Sequence, residues 1–431
     1  RSHGIQTPMR IEILCTGDEI LTGKTINSNY SHIARRLVEV GLDVAWGTTV
    51  GDDRDALLKA FREAATRADA VIVNGGLGPT VDDLSQEIAA QAAGVALVLH
   101  EPWLARMEEF YRRRNRVMPP NNRKQAMLPA NAEFIDNPIG TACGFAVTID
   151  GARFFFTPGV PREMRRMIDE QVIPRLLVLG GVQGVTRVKR FHSFGIGESR
   201  ADQMLDGIEA LAPDGGVKLG FQAHYPQLET KLAARGTDAA DLERRLAPVE
   251  AEARRRLGNF ILAEDDQTLE GVVLAALRAR GGTLAIAEMF TSGTIATRVA
   301  PGEGAETVFR RSIVARDLGQ LCAAAGLASG MDIGGVSPEA ATAVASTLRD
   351  KSGASHALAV LVSLDEGADR IELGGTICIG IADGGVPVSR QARMFGGRDW
   401  IRLGATEMAL DCLRRHLLGL PVDEQIDFER R

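Results

Sequence analysis

Apolar runs and apolar stripes alternate along the first third of the chain. Residues 11–16 form a short apolar run that stops abruptly at Gly17-Asp18-Glu19. Over 29–40, Ile33, Leu37 and Val40 share one helical stripe. Residues 43–50 read as a second strand, 54–67 as an amphipathic helix, and 70–74 as a buried strand ending in Gly75-Gly76. This alternation predicts an α/β unit with a parallel, doubly wound sheet, whose ligands lie at the carboxyl ends of the strands. Segments 128–129 and 154–159 add strand and loop, and a helix over 162–177 closes the unit. The Gly-rich stretch 180–184 marks a boundary. Beyond it, strands at 189–194 and 229–234 and a charged helix at 241–257 predict a small α+β domain. A third unit follows: helix 268–279, strand 283–287, helix 292–299, strands near 357–363 and 375–382, and a terminal helix 399–417. The domains so read are 9–175, 185–265 and 266–425.

Composition narrows the class. With 45% hydrophobic and 25% charged residues, the 431-residue chain can bury a sizeable core. Aromatics are only 5% and glycines number 47, which argues against an all-β sandwich or a base-stacking platform. The net charge of −6 leaves no whole-chain footprint for nucleic acid, and no nucleic-acid partner is expected. Cys15, Cys143, Cys322, Cys378 and Cys412 are odd in number, scattered and never in a CxxC pair. A disulfide framework and a structural zinc site are therefore not expected, and a reducing cytoplasm is. No stretch of about 18 apolar residues predicts a membrane span. The start, RSHGIQTPM, reads as a tag remnant and short leader, with structure beginning near Met9. The seven histidines have no ligand spacing.

Candidate chemistry collects in four clusters: GDEILTGKTINSN at 17–29, NGGLGPTVDDLSQE at 74–87, PPNNRK at 119–124, and NPIGTACGF at 137–145 with TPGVPREM at 157–164. In the second, a buried strand runs into Gly75, Gly76, Gly78, Pro79 and Thr80, and a helix is expected to start near Asp82. Glycines let backbone approach an anion, and helix-start N–H groups supply donors. Thr80 is a candidate cap for that helix. Asp82 and Asp83 in its first turn either complement the helix dipole or hold a divalent cation that bridges phosphate oxygens. Asp18 and Glu19 end another parallel strand and can approach the same crevice. Arg123 and Lys124 either bind phosphate or form a solvated charged turn.

These motifs, in this order, closely resemble the amino-terminal domain of the CinA (competence/damage-inducible) family over nearly all of 9–175. The resemblance implies a three-layer α/β fold of the molybdopterin-binding MoaB/MogA type. It also implies divalent-metal-dependent cleavage of ADP-ribose to AMP and ribose 5-phosphate, with Mg, Mn or Co as the class of ion. The implied catalytic groups are Asp18, Glu19, Asp82, Asp83 and Lys124, with Asp82 and Asp83 as metal ligands. The implied substrate contacts are Asn27, Gly75, Gly76, Gly78, Pro79, Thr80, Asn122, Arg123, Gly140, Thr141, Gly159 and Glu163. FHSFGIGES at 191–199 and RRLGNFILAEDDQTLE at 255–270 extend the resemblance through the middle segment, which carries no catalytic cluster. A homodimer is implied, with helix 241–257 as a candidate contact. A non-catalytic nucleotide- or pterin-binding protein and a bifunctional enzyme are the competing readings.

The carboxyl-terminal segment resembles the CinA domain that deamidates nicotinamide mononucleotide, but departs from it where the chemistry lies. Where the family carries AESCTGG, this chain reads Ala287-Glu288-Met289-Phe290-Thr291-Ser292-Gly293. Glu306, or its neighbour Ala305, stands where the nucleophilic Ser belongs, Arg316 replaces the Tyr, and Leu321 replaces the Lys. The family's GIAGPGG loop is replaced by the stretch 361–367. Amide hydrolysis by a Ser–Lys pair needs a hydroxyl and an amine, which Glu, Ala and Leu cannot supply. The expectation is a folded domain without deamidase activity, in which Ser292 and Ser312 are ordinary capping or surface serines.

Overall fold

In the computed structural model, residues 9–181, 184–328, 333–365 and 374–429 are described. They form two compact units, divided between Arg187 and Val188.

The first unit contains β1 (Ile11–Thr16), α1 (Asp18–Leu21), α2 (Ser28–Glu39), β2 (Val44–Val50), α3 (Arg54–Arg67), β3 (Ala70–Asn74), α4 (Ser85–Ala93), β4 (Leu97–Leu99), α5 (Glu101–Arg112), β5 (Met127–Pro129), β6 (Glu133–Ile135), β7 (Gly144–Ile149), β8 (Ala152–Thr157), α6 (Pro161–Met167) and α7 (Ile173–Leu179). Its main sheet has the order β2-β1-β3-β8-β7-β6. The four strands from β2 to β8 run parallel, and β7 and β6 complete the sheet antiparallel. The inner strands β1, β3, β8 and β7 are buried along nearly their whole length, as a covered sheet requires, while the edge strand β2 is largely exposed. Val71 and Val73 face a core with Leu57, Phe61, Trp103, Phe145 and Phe156, under α3, α4 and α5. Ala70 and Ile72 face the opposite core, with Ile33, Leu37, Met164, Ile168 and Leu176. This three-layer sandwich brings the carboxyl ends of β1, β2, β3 and β8 to one edge.

Helix starts follow local side-chain chemistry. Asn27 caps α2 by accepting from Tyr30 N at 3.1 Å, and Asp53 caps α3 by accepting from Ala56 N at 2.8 Å. Two expectations are corrected. The helix after the Gly-rich loop starts at Ser85, not near Asp82, because the Asp83 carboxylate turns back to accept from Thr80 N at 2.9 Å and Thr80 Oγ at 2.6 Å. Thr80 therefore donates to Asp83 and does not cap the helix. The helix expected over 162–177 is interrupted by a π-turn at 168–172, next to Pro174, which lacks the N–H that a continuous ladder needs.

The second unit begins with β9 (Val185–Phe194), whose first residues precede the division, α8 (Glu198–Met204), β10 (Val217–His224), β11 (Gln227–Gly236), α9 (Ala239–Leu257) and β12 (Ile261–Glu264). Their sheet has the order β10-β11-β9-β12. It continues with α10 (Leu269–Ala279), β13 (Leu284–Met289), α11 (Thr294–Val299), α12 (Ala305–Val308), β14 (Phe309–Ala315), α13 (Leu318–Ala325), α14 (Pro338–Ser352), β15 (His356–Leu364), β16 (Gly374–Ala382), β17 (Val388–Phe395) and α15 (Arg398–Leu418). The second sheet has the order β14-β13-β15-β16-β17. One apolar core runs from Phe191, Leu232 and Leu246 through Leu277, Ile286 and Ile379 to Leu413, so the middle and carboxyl-terminal segments fold around shared contacts. The apolar stripe of α9, Leu242, Leu246, Val249 and Ala253, is buried there. Its charges pair largely along the helix itself, as in Arg245 with Asp241 and Arg256 with Glu252. All five cysteines are buried and unpaired. Among the described residues, no helix is long and apolar enough to cross a membrane.

Candidate functional site

The edge of the first unit's sheet holds a cavity of about 650 Å³. The loops after β1, β2, β3 and β8 open into it, where a doubly wound sheet places its ligand. Its floor is an amide network. Asn74 ends β3 and donates to Thr157 Oγ at 3.1 Å and to the Pro158 carbonyl at 2.8 Å. Asn29, the second residue of α2, donates to Asn74 Oδ1 at 2.9 Å and to the Gly159 carbonyl at 2.8 Å. These bonds fix three loops relative to one another.

The Gly-rich loop is held close by its own glycines. Gly75 has φ of 108° and Gly76 of 71°, where L side chains are strained. A Cβ at Gly76 would also fall 2.3 Å from Ser85 Oγ. Ser85 Oγ donates to the Gly75 carbonyl at 2.9 Å, Gln125 donates to the Leu77 carbonyl at 3.2 Å, and Lys124 Nζ donates to the Thr80 carbonyl at 2.9 Å.

Glu19, Asn27, Gly75, Gly76, Gly78, Pro79, Thr80, Asp82, Asp83, Thr141, Gly159 and Glu163 line the cavity. Asp18, Asn122, Arg123, Lys124 and Gly140 do not line it. Asp18 Oδ1 accepts from Asp52 N while Asp52 Oδ2 accepts from Asp18 N, both at 3.1 Å, which clamps the loop after β1 to the loop after β2. Asn122 is buried and donates to Gln125 Oε1 at 2.9 Å and to Tyr111 OH at 3.0 Å. It supports the PPNNRK turn from beneath. Lys124 clamps the Gly-rich loop, and Arg123 is exposed. Gly140 packs against Glu163, whose carboxylate would lie 2.2 Å from a Cβ there. Glu163 in turn accepts from Asn137 at 2.7 Å, and Asn137 also donates to the Ala142 carbonyl at 2.7 Å.

Thr16, Asp52 and Gln125 line the cavity outside the quoted motifs, and Asn29 and Asn74 lie inside them without having been singled out. Asp52 follows β2, and the rule that parallel strands deliver ligands at their carboxyl ends would have pointed to it. Burial pushes the Asp52 carboxyl up from the ordinary range, and the negative charges of Asp18, Glu19 and Asp83 push it further, against the Asp18 N–H that holds it down. The folded state therefore binds the Asp52 proton more tightly than the unfolded chain does. The penalty is absent below the unfolded value and grows as pH rises through the folded value. Asp52→Asn should accordingly raise the unfolding midpoint at pH 7, with the gain shrinking as pH falls toward 4. Equal gains at both pH values in thermal unfolding would contradict this reading.

The donor set fits a divalent cation of one kind. Glu19, Asp52, Asp82, Asp83 and Glu163 bring carboxylates to the cavity wall, Glu163 already bonded to Asn137, and the buried Thr16 Oγ and Asn29 Oδ1 have no hydrogen-bond partner. Among the described residues, however, no three His, Cys, Asp or Glu side chains already form a metal cage. That combination suits a hydrated ion held by one or two carboxylates and completed by phosphate oxygens, as Mg²⁺ is commonly held.

In the carboxyl-terminal sheet, Glu288 is wholly buried and accepts from Thr291 Oγ at 2.8 Å, Ile295 N at 3.0 Å and Ala296 N at 3.1 Å. It thus ties the turn after β13 to the start of α11. Phe290 and Ser292 in that turn have φ of 74° and 57°. Ser292 Oγ donates to the Phe290 carbonyl at 3.1 Å, and Ser312 Oγ lies 3.4 Å from Glu288. Met289 is buried, Glu306 and Arg316 are exposed, and Leu321 is wholly buried in the core under α13 and α14. The replaced loop runs beyond Asp365 and there lies outside the described residues, as do residues 182 and 183 of the Gly-rich boundary.

Comparison with known proteins agrees with this architecture. Residues 12–178 match the family model described as a probable molybdopterin binding domain, residues 188–263 the damage-inducible protein CinA KH domain, and residues 266–417 the CinA C-terminal domain. A CinA-like protein of Geotalea uraniireducens is 36% identical over 422 residues, covering 97% of this chain and 100% of that protein. One from Shewanella sediminis is 38% identical over 415 residues, covering 95% of this chain and 96% of that protein. The solved structure of a CinA protein of unknown function from Thermoplasma acidophilum is 34% identical, covers 39% of this chain and 98% of that one, and superposes with a TM-score of 0.36. With full-length relatives and three successive domain matches in the same order, the chain belongs to the CinA family.

Proposed function

We propose that the first unit hydrolyses the pyrophosphate of ADP-ribose, or of a related nucleotide diphosphate, releasing AMP. One observation carries this reading: the Gly-rich loop and five carboxylates, of Glu19, Asp52, Asp82, Asp83 and Glu163, line a single cavity large enough for a nucleotide. The Gly75–Thr80 backbone can approach a phosphate closely because no Cβ intervenes at Gly75, Gly76 or Gly78. Lys124 and Ser85 hold that backbone in place. A divalent ion, when bound, would neutralise phosphate charge and lower the pKa of an attacking water. Asp82 and Asp83 are its candidate ligands, with Asp83 also holding the loop. Asp52, which lines the cavity, is the candidate acceptor for a proton from that water. The test is AMP release from a panel of nucleotide diphosphates with and without divalent ions. Nucleotide binding without AMP release under any of these ions would return the site to a non-catalytic binding role.

For the carboxyl-terminal segment we propose a folded scaffold without deamidase activity. The positions of the family's Ser, Tyr and Lys hold Glu306, Arg316 and Leu321. A wholly buried Leu321 offers no amine to activate a nucleophile. Ser292 and Ser312 are committed to backbone and carboxylate partners. The full chain should release ammonia from nicotinamide mononucleotide no faster than a buffer blank. Release well above the blank, lost on Ser312→Ala or Ser292→Ala, would show that another serine has taken over.

A further inference from the structure

Beside the nucleotide cavity lies a second one of about 710 Å³, of opposite electrostatic character. The loop 137–142 separates them: Pro138, Ile139 and Gly140 face the second cavity, Thr141 and Ala142 the first. At the start of α6 the same split recurs, with Arg162 in the second cavity and Glu163 in the first. The first cavity is lined by carboxylates. The second carries Arg106, Arg113, Arg114 and Arg162 against one carboxylate, Glu109.

Two of the four arginines are paired locally, Arg106 with Asp136 and Arg113 with Glu109. Glu109 is shared by Arg112 and Arg113, and hydrogen bonds from Arg113 and Arg112 hold its carboxyl below the ordinary range. Among the described residues, neither Arg114 nor Arg162 has a carboxylate partner. Arg114 sits over Phe110, its guanidinium carbon 3.6 Å from the ring centroid, and donates through Nη1 to the Phe110 carbonyl at 3.1 Å. The shared wall is stiff, because Trp103 Nε1 donates to the Thr141 carbonyl at 3.0 Å and Asn137 anchors both ends of the loop. A net −6 chain has thus collected arginines at one cavity adjoining its nucleotide site.

We propose that this second cavity binds a phosphomonoester carried on the ribose of the nucleotide in the first cavity, so that the preferred substrates are nucleotide diphosphates bearing an additional phosphate. This rests on the first cavity being the nucleotide site, but not on hydrolysis occurring there. Guanidinium groups bind a phosphate dianion through paired, charge-assisted hydrogen bonds. A single such contact gives roughly a ten-fold gain in affinity.

The test is calorimetric titration of the full chain with AMP, adenosine 2′,5′-bisphosphate and adenosine 3′,5′-bisphosphate. At least one bisphosphate should bind about ten-fold more tightly than AMP, with the advantage shrinking as salt rises. Arg162→Glu should bring that ratio close to one, and Arg113→Ala should reduce it; thermal unfolding checks that both variants fold. Both bisphosphates binding no more tightly than AMP, or not at all, would overturn the proposal, as would a ratio that survives Arg162→Glu. AMP release from ADP-ribose is measured separately. Its absence would refute the hydrolase reading while leaving the bisphosphate preference standing or falling on its own result.

Discussion

Asp411→Ala should destabilise the second unit by about 3–5 kcal/mol, the usual cost of removing one partner from a buried ion pair. Asp411, Arg414 and Arg415 are only 4%, 3% and 2% exposed, in the last two turns of α15. Asp411 is the one carboxylate bonded to both guanidiniums: Arg414 Nε donates to it at 2.8 Å and Arg415 Nε at 2.9 Å. The arginines also reach out of the helix. Arg414 and Arg415 both donate to the Asn259 carbonyl, and Arg415 bonds the Pro421 carbonyl and Glu424. The cluster therefore staples the end of the middle segment and the chain after α15 to one helix. Alanine at 411 leaves two cations in a site with little water, which is why the loss should exceed that of an ordinary ion pair. The control is Asp399→Ala on the same helix, where the side chain is 91% exposed and its pair with Arg402 is 3.4 Å long. That change should cost less than about 0.5 kcal/mol. Denaturant unfolding of both variants gives the comparison, and equal small losses would show that the buried cluster is dispensable.

Asp82→Asn should lower metal-dependent AMP release by at least about 100-fold, with little change in unfolding midpoint. Asp82 is exposed and faces the cavity, so its carboxylate is available to an ion and little packing is lost. Asp83 is a less clean probe. Its carboxylate accepts from both the N–H and the hydroxyl of Thr80, so Asp83→Asn weakens the loop as well as any metal contact. The two variants should separate in their dependence on the ion. Asp82→Asn should raise the ion concentration needed for half-maximal rate, whereas Asp83→Asn should also raise KM for the nucleotide. An Asp82→Asn protein with full turnover would remove this residue from the mechanism.

The sequence made strongly periodic, buried elements legible and left the weakly patterned ones hidden. β1, α3 and β3 stand where their apolar runs and stripes put them, because each is buried on its patterned face. β10 went unread: Val217–His224 is mostly half-buried and is broken by Gly220. β14 and β17 are edge strands of their sheet and carry Arg310, Arg311, Arg390 and Arg393, which blur alternation. α15 was read as an ordinary terminal helix, yet it is buried nearly all round, since the α10 side and the sheet cover it together. For the site, motifs located the Gly-rich loop and most of the cavity wall. They did not distinguish residues that face the cavity from those that brace it. Asn122 and Lys124 fall in the second group only because of where Gln125, Tyr111 and Thr80 stand in three dimensions. Asp52 was invisible as a motif, because only the strand order β2-β1-β3 brings its loop beside Asp18.

The proposed cleavage of a nucleotide pyrophosphate in this cavity is open to a direct assay. Its most direct measurement is AMP formation from ADP-ribose by the full chain, with Mg²⁺, Mn²⁺ or Co²⁺ and after chelation. Stoichiometric AMP and ribose 5-phosphate are expected with at least one ion, none above blank with chelator, and a rate lowered at least about 100-fold in the Asp82→Asn variant. Intact ADP-ribose recovered under every ion, from protein that binds it, would contradict the proposed cleavage.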